Sequence, residues 1–134
     1  MPDYSSPEIS LVHSPLPDER KSITHKFTIG DFKAYLTVGM YNDGKPGEIM
    51  ITTSKQGSEM SGICHALAIS VSIGLQSGIP LERYIEKFKY MRFEPMGMTD
   101  NKAFRNAASI MDYIARWLES RFVDESNPAM VGHA

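Results

Sequence analysis

His25 is the first side chain whose chemistry matters. It lies in RKSITHKFTIG, residues 20–30, beside Thr24 and Lys26. An imidazole titrates near neutrality and serves as general acid, general base or metal ligand. Nucleophilic catalysis needs such a base close to a hydroxyl or thiol, with a third group to orient it. The single cysteine, Cys64, stands far along the chain in a helical stretch, and no acid is spaced to complete a triad. His25 is also in phase with Ile23, Phe27 and Ile29. The plainer reading therefore fits better, a strand histidine whose ring packs and whose nitrogens bond to backbone or a nearby acid.

Metal chemistry fares worse. Cys64 and His65 are adjacent, about 100° apart around a helix, and do not share a face. His13 and His133 lie near the two ends. A zinc site needs several converging nitrogen and sulfur ligands, so neither a metal nor another cofactor is expected. The stretch KQGSEMSG offers a different chemistry. Lys55, Gln56, Gly57 and Ser58 precede a helical pattern, where free amide N–H groups and a lysine would favour a phosphate or a nucleotide. No Gly-Lys-Ser/Thr follows, and an ordinary helix start capped by Ser58 accounts for the same residues. In YMRFEP, Arg92 and Phe93 form either an exposed aromatic–basic recognition loop or a joint between two helices, with Arg92 paired to a carboxylate.

The elements that carry these groups follow from periodicity. Residues 1–19 hold Pro2, Pro7, Pro15 and Pro17 and read as an extended or flexible arm. Alternation then predicts a strand with Ile23, His25, Phe27 and Ile29 on one face, followed by a turn at Gly30-Asp31. A second strand sets Phe32, Ala34, Leu36, Val38 and Met40 against Lys33, Tyr35, Thr37 and Tyr41. Asn42-Asp43-Gly44 suits a tight turn, and EIMITTS is the third strand. From Ser58 the period becomes helical, with Met60, Ile63/Cys64, Leu67, Val71 and Leu75 as the apolar stripe. Gly78 closes that helix and Pro80 opens a second, PLERYIEKFKYM, striped by Leu81, Ile85 and Phe88. Thr99 or Asp100 is expected to cap a third, carrying Phe104, Ala107/Ala108, Met111, Ile114/Ala115, Leu118 and Phe122, with Tyr113 and Trp117 widening its face. The prediction is an α+β domain over residues 20–123: a three-stranded antiparallel β-meander followed by three helices packed on one face. Residues 124–134 read as a flexible tail. Lys33, Tyr35, Thr37 and Tyr41 mark the uncovered face.

Composition narrows the function. The 134 residues are 42% hydrophobic and 22% charged, which suits one soluble domain. No apolar run approaches the ~20 residues of a membrane span, and MPDYSSPEIS lacks the basic and apolar regions of a secretory signal. A cytoplasmic protein is expected. One cysteine excludes an internal disulfide. A net charge of -2 and a pI near 6.1 disfavour a nucleic-acid binder, which usually carries a basic face. The nine methionines are read mainly as core filler.

Several ordered motifs carry a resemblance. LPDERKSITHKFTIG, YNDGKPGEIMI, KQGSEMSG, LQSGIPLERYIEKFKYMRFEP and SIMDYIARWL, together spanning roughly residues 16–118, resemble the C-terminal region of adenosylcobalamin-dependent (class II) ribonucleotide reductases, of the TSCPD group. The resemblance implies that radical chemistry, cobalamin and substrate belong to a preceding α/β barrel that this sequence does not contain. Such enzymes also tend to end in a cysteine pair, whereas no cysteine follows Cys64. SGICHALA departs from the family, which more often has an acidic residue near His65. The expectation is a free-standing, non-catalytic piece of deoxynucleotide synthesis that docks on a ribonucleotide reductase, with recruitment to an unrelated protein as its variant. Candidate contacts are His25, Lys33, Tyr35, Tyr41, Arg92 and Phe93. Self-association through the open sheet face or edge is a further expectation. A nucleotide- or phosphate-binding domain at Lys55–Ser58 is the second reading, and an enzyme using His25 or Cys64 the third.

Overall fold

A computed structural model describes residues 12–54 and 59–123. Three strands, β1 (Ser22–Ile29), β2 (Phe32–Met40) and β3 (Pro46–Thr53), form an antiparallel sheet in the order β1-β2-β3. Helices α1 (Glu59–Gln76) and α2 (Leu81–Phe88) follow. A two-stranded ribbon, β4 (Gly97–Met98) and β5 (Asn106–Ala107), precedes α3 (Ile110–Phe122). The α+β order and the meander are as the sequence predicts.

The register explains the two faces. Ile23–Val38–Ile49, His25–Leu36–Ile51 and Phe27–Ala34–Thr53 are cross-strand rows on one side. Phe27, Ala34, Leu36 and Val38 there are fully buried, under the helices. Thr24–Thr37–Met50 and Lys26–Tyr35–Thr52 form rows on the other side. Period-2 alternation of side chains dictates this division.

Helix α1 packs along β3 and also satisfies its outer edge. Ser72 Oγ accepts from the Ile49 N–H (2.9 Å) and donates to the Ile49 carbonyl (3.1 Å), while Gln76 Nε2 donates to the Gly47 carbonyl (3.1 Å). The β3 edge is thereby closed to strand pairing. Helix α3 packs beneath β1, with the Phe27 and Tyr113 rings stacked 4.2 Å apart. Helix α2 lies against α3.

The third helix begins later than its spacing implies. Thr99 caps a turn instead of a helix: its hydroxyl donates to the Phe104 carbonyl (2.7 Å) and accepts from the Asn101 N–H (3.1 Å). Asn101 Oδ1 in turn accepts from the Ala103 N–H (2.9 Å). Such local side-chain bonds compete with helix formation. Ser109 is the true N-cap, accepting from the Asp112 N–H at 3.0 Å. Phe104, in phase with the helix by spacing, reaches the core from the turn and meets Tyr113 edge-on at 4.9 Å.

Residues 12–21 carry no regular secondary structure but are tied to the domain. The Ser14 N–H donates to the Gln76 carbonyl (2.8 Å), and the Tyr41 hydroxyl donates to the Ser14 carbonyl. A Cβ at Gly47 would come within 2.6 Å of the Tyr41 ring and 2.7 Å of Leu16. Glycine lets the segment close over β3.

Candidate functional site

His25 is held within an aromatic stack. Its ring lies 4.8 Å from that of Trp117 and near-parallel to it, and 5.9 Å from that of Tyr113. The Tyr113 hydroxyl, which accepts from Asn101 Nδ2 (3.1 Å), lies 2.9 Å from His25 Nε2. Burial pushes the His25 pKa below the usual imidazole value; the Asp100 carboxylate opposes the shift and Arg121 adds to it. A neutral imidazole accepting the tyrosine proton at Nε2 satisfies both groups. Burial raises the Tyr113 pKa, so that hydroxyl keeps its proton. Among the described residues the one hydroxyl bonded to the ring is the protonated Tyr113, and the surroundings are those of a packing residue.

The outer face of the sheet presents Lys33 exposed, with Tyr35 half-buried in the row Lys26–Tyr35–Thr52. Met50 stands out at 51% exposure, and the Thr24 and Thr37 hydroxyls are 3.3 Å apart. Glu48 folds over bare Gly39 and pairs with Arg20 Nε at 2.7 Å, which closes one end of the face. Tyr41, also assigned to this face by its position, donates its hydroxyl to the Ser14 carbonyl and lays its ring beside Gly47. The face left open is neutral to basic, with one aromatic ring at its centre.

Arg92 and Phe93 sit on the loop between α2 and β4 and part company. Phe93 packs against the core and donates its N–H to the Ala108 carbonyl (3.0 Å). Arg92 is exposed and forms no ion pair with a described residue. Around it Tyr90, Met91, Met96 and Met98 are exposed by 38–69%. An unforeseen group builds this loop. Asp112, 1% exposed, accepts from the Tyr90 N–H (2.7 Å), the Ala108 N–H (2.8 Å) and Arg116 Nη2 (2.9 Å). Arg116 also donates to the Asn106 carbonyl, and Ser109 Oγ donates to the Met91 carbonyl (2.6 Å). Tyr90 takes a left-handed φ of 69°, which costs a non-glycine residue roughly 1–2 kcal/mol. The Asp112 carboxylate holds it there. The one sequence signal for this hub is an acid amid the apolar register of α3.

Cys64 is buried at 2% exposure on the inner side of α1, and burial raises its thiol pKa. A protonated, enclosed thiol is a weak nucleophile. His65, one residue on, faces solvent. Among the described residues no cluster of three or more His, Cys, Asp or Glu could hold a metal ion. The phosphate candidates Lys55, Gln56, Gly57 and Ser58 lie outside the described residues. An apolar groove of about 350 Å³ runs between Tyr41, Pro46, Ile79, Leu81 and Phe122, away from every residue singled out for chemistry except Tyr41. No helix of the described residues is long and apolar enough to cross a membrane.

The comparisons agree with one another. The chain is 49% identical over 121 residues to a vitamin B12-dependent ribonucleotide reductase of Rhodopirellula baltica, covering 89% of this chain and 12% of that protein. A protein of the same name from Streptomyces coelicolor is 46% identical over 125 residues, covering 93% and 13%. One from Agrobacterium fabrum is 40% identical over 124 residues, covering 92% and 10%. The chain thus spans about an eighth of the length of the first two relatives. No solved structure matches it. The TSCPD domain matches residues 5–122, nearly the whole of the described fold, and the chain belongs to the TSCPD domain family.

Proposed function

We propose that this chain is a protein-docking module of ribonucleotide reduction with no chemistry of its own. The observation that carries this reading is the extent of the match. Nearly all of this chain corresponds to only 10–13% of the three relatives described above, each named as a vitamin B12-dependent ribonucleotide reductase. Side-chain chemistry supports it, since His25 is engaged by Tyr113 and Trp117 and the Cys64 thiol is enclosed. Two surfaces suit a partner. One is the sheet face of Lys26, Lys33, Tyr35 and Met50; the other is the loop of Arg92 with its exposed methionines. Both pair positive charge with adaptable apolar groups, so the partner patch is acidic at its rim and apolar at its centre.

The test is biolayer interferometry of the full chain against a purified vitamin B12-dependent ribonucleotide reductase, with reductase turnover followed in parallel. Saturable binding is expected, weakened about 10-fold by K33E, by Y35A or by R92E, a loss of about 1.4 kcal/mol each. Absence of binding at about 100 µM, where even a contact worth ~5.5 kcal/mol registers, overturns the reading.

A further inference from the structure

The sheet closes its edges with specific groups, except along one stretch of β1. On β3, Ser72 and Gln76 bond the Ile49 and Gly47 backbone. At the far end of β1 the Thr28 N–H donates to Asp100 Oδ1 (3.2 Å) and the Gly30 N–H to the Met98 carbonyl (2.7 Å), while Thr99 bridges to Ile29. The register locates what is left open. The Met40 N–H donates to the Lys21 carbonyl, and antiparallel partners exchange bonds at every second residue. Ile23, His25 and Phe27 therefore bond Val38, Leu36 and Ala34 of β2. The backbone groups of Ser22, Thr24 and Lys26 point the other way, out of the sheet. These three residues are exposed, and among the described residues nothing bonds their N–H or C=O groups.

Peptide donors and acceptors at strand spacing are met best by another extended chain. The neighbouring side chains say which kind. On the outer face Lys26 is exposed and forms no ion pair with a described residue, and Ser22 and Thr24 beside it are small. A strand laid along this edge sets alternate side chains on that face, where a carboxylate beside Lys26 is the favourable cross-strand match. Its other side chains point to the inner face, where Ile23 and His25 are half-buried and the Trp117 ring stacks on His25. Apolar groups suit that side. A second copy suits the edge poorly. Its β1, paired about Thr24, would need Arg20 where Asp100 already sits beside Thr28.

We infer that the reductase supplies this strand: an extended segment, with a carboxylate on its outer side and apolar residues on its inner side, pairs with β1 along Ser22–Lys26, about 17 Å. The inference rests on the docking reading and says how that docking is made. Main-chain bonds give the hold, and Lys26 selects the strand by penalising a basic one. The added strand widens the outer face without covering Lys33, Tyr35 or Met50, so edge and face form one continuous surface.

The test is hydrogen exchange of the full chain, resolved to single amides, with and without a purified vitamin B12-dependent ribonucleotide reductase. The Thr24 and Lys26 amides are expected to exchange at least about 10-fold more slowly in the complex, while the Thr28 amide, bonded in both states, changes little. T24P removes the outward N–H and leaves the Ile23 and His25 bonds to β2 in place, since proline is tolerated at such an edge position. T24P and K26E each weaken reductase binding by about 10-fold or more, whereas T24V, which keeps the N–H, binds as the native chain does. Reductase binding with unchanged Thr24 and Lys26 amides overturns the inference and leaves the docking reading standing. So does undiminished binding by a T24P chain with native far-UV circular dichroism. If T24P fails to fold, amide exchange in the native chain decides alone. Absence of any reductase binding overturns the docking reading, and the strand pairing with it.

Discussion

A histidine at residue 25 invites a catalytic reading, and the local environment decides against it. The Tyr113 hydroxyl, 2.9 Å from Nε2, and the Trp117 ring 4.8 Å away make the neutral imidazole the better-accommodated form. The folded pKa is lowered, mainly by burial, with Asp100 opposing and Arg121 reinforcing. The sign follows from linkage. Below the ordinary value of 6.5 the unfolded chain binds a proton that folded His25 resists. Stability is therefore fully present above that value and falls as pH drops from it through the lowered folded pKa. Melting temperatures at about pH 7.5 and about pH 5.5, a window in which imidazole changes charge, should show the native chain losing more than the H25F variant, which keeps the stack but does not titrate. Parallel losses would remove His25 from the account. The alternation of Ile23, His25, Phe27 and Ile29 put the ring on the inner face. Its bond to Tyr113, 88 residues away, rests on tertiary contact and was beyond any local pattern.

At the scale of elements, the strands were legible because one face is buried and the other wet, so a period of two appears directly in the residue types. The helices were less so. Phe104 and Ala107 fall in phase with α3, yet Thr99 and Asn101 fold the preceding residues into a turn, and the helix waits for Ser109. In α1 the spacing leaves Ile63 and Cys64 as alternatives for one stripe position, and it is Cys64 that is buried and Ile63 that is exposed. A helix apolar all round has no single stripe to read. Its two interior glycines separate what the fold needs from what it does not. The G62A variant, adding a Cβ in open space, should stabilise the chain at low concentration by about 0.5–1 kcal/mol through helix propensity. G74A, adding one into the Tyr84 hydroxyl, should destabilise by about 1–3 kcal/mol through overpacking. Urea unfolding of the two variants measures both, and equal signs would refute the distinction.

For the whole molecule, one buried carboxylate joins parts that are far apart in sequence. Asp112 fixes the backbone leaving α2 at Tyr90, the backbone leaving β5 at Ala108, and Arg116 one turn on in its own helix. The exposed Arg92 loop hangs from these bonds, so the docking surface proposed above depends on an ion pair in the interior. Breaking a buried pair by removing one member leaves the other uncompensated and costs about 3–5 kcal/mol. Arg116 retains 21% side-chain exposure, so D112A should fall near the lower end, a drop in melting temperature of roughly 10 °C for a domain of this size. Hydrogen exchange then localises the effect. The Tyr90 and Ala108 amides should exchange faster in D112A by more than the Leu36 amide in the central strand, because they lose their acceptor as well as global stability. Equal acceleration at all three would mean that Asp112 only stabilises the core, and that the Arg92 loop keeps its shape without it.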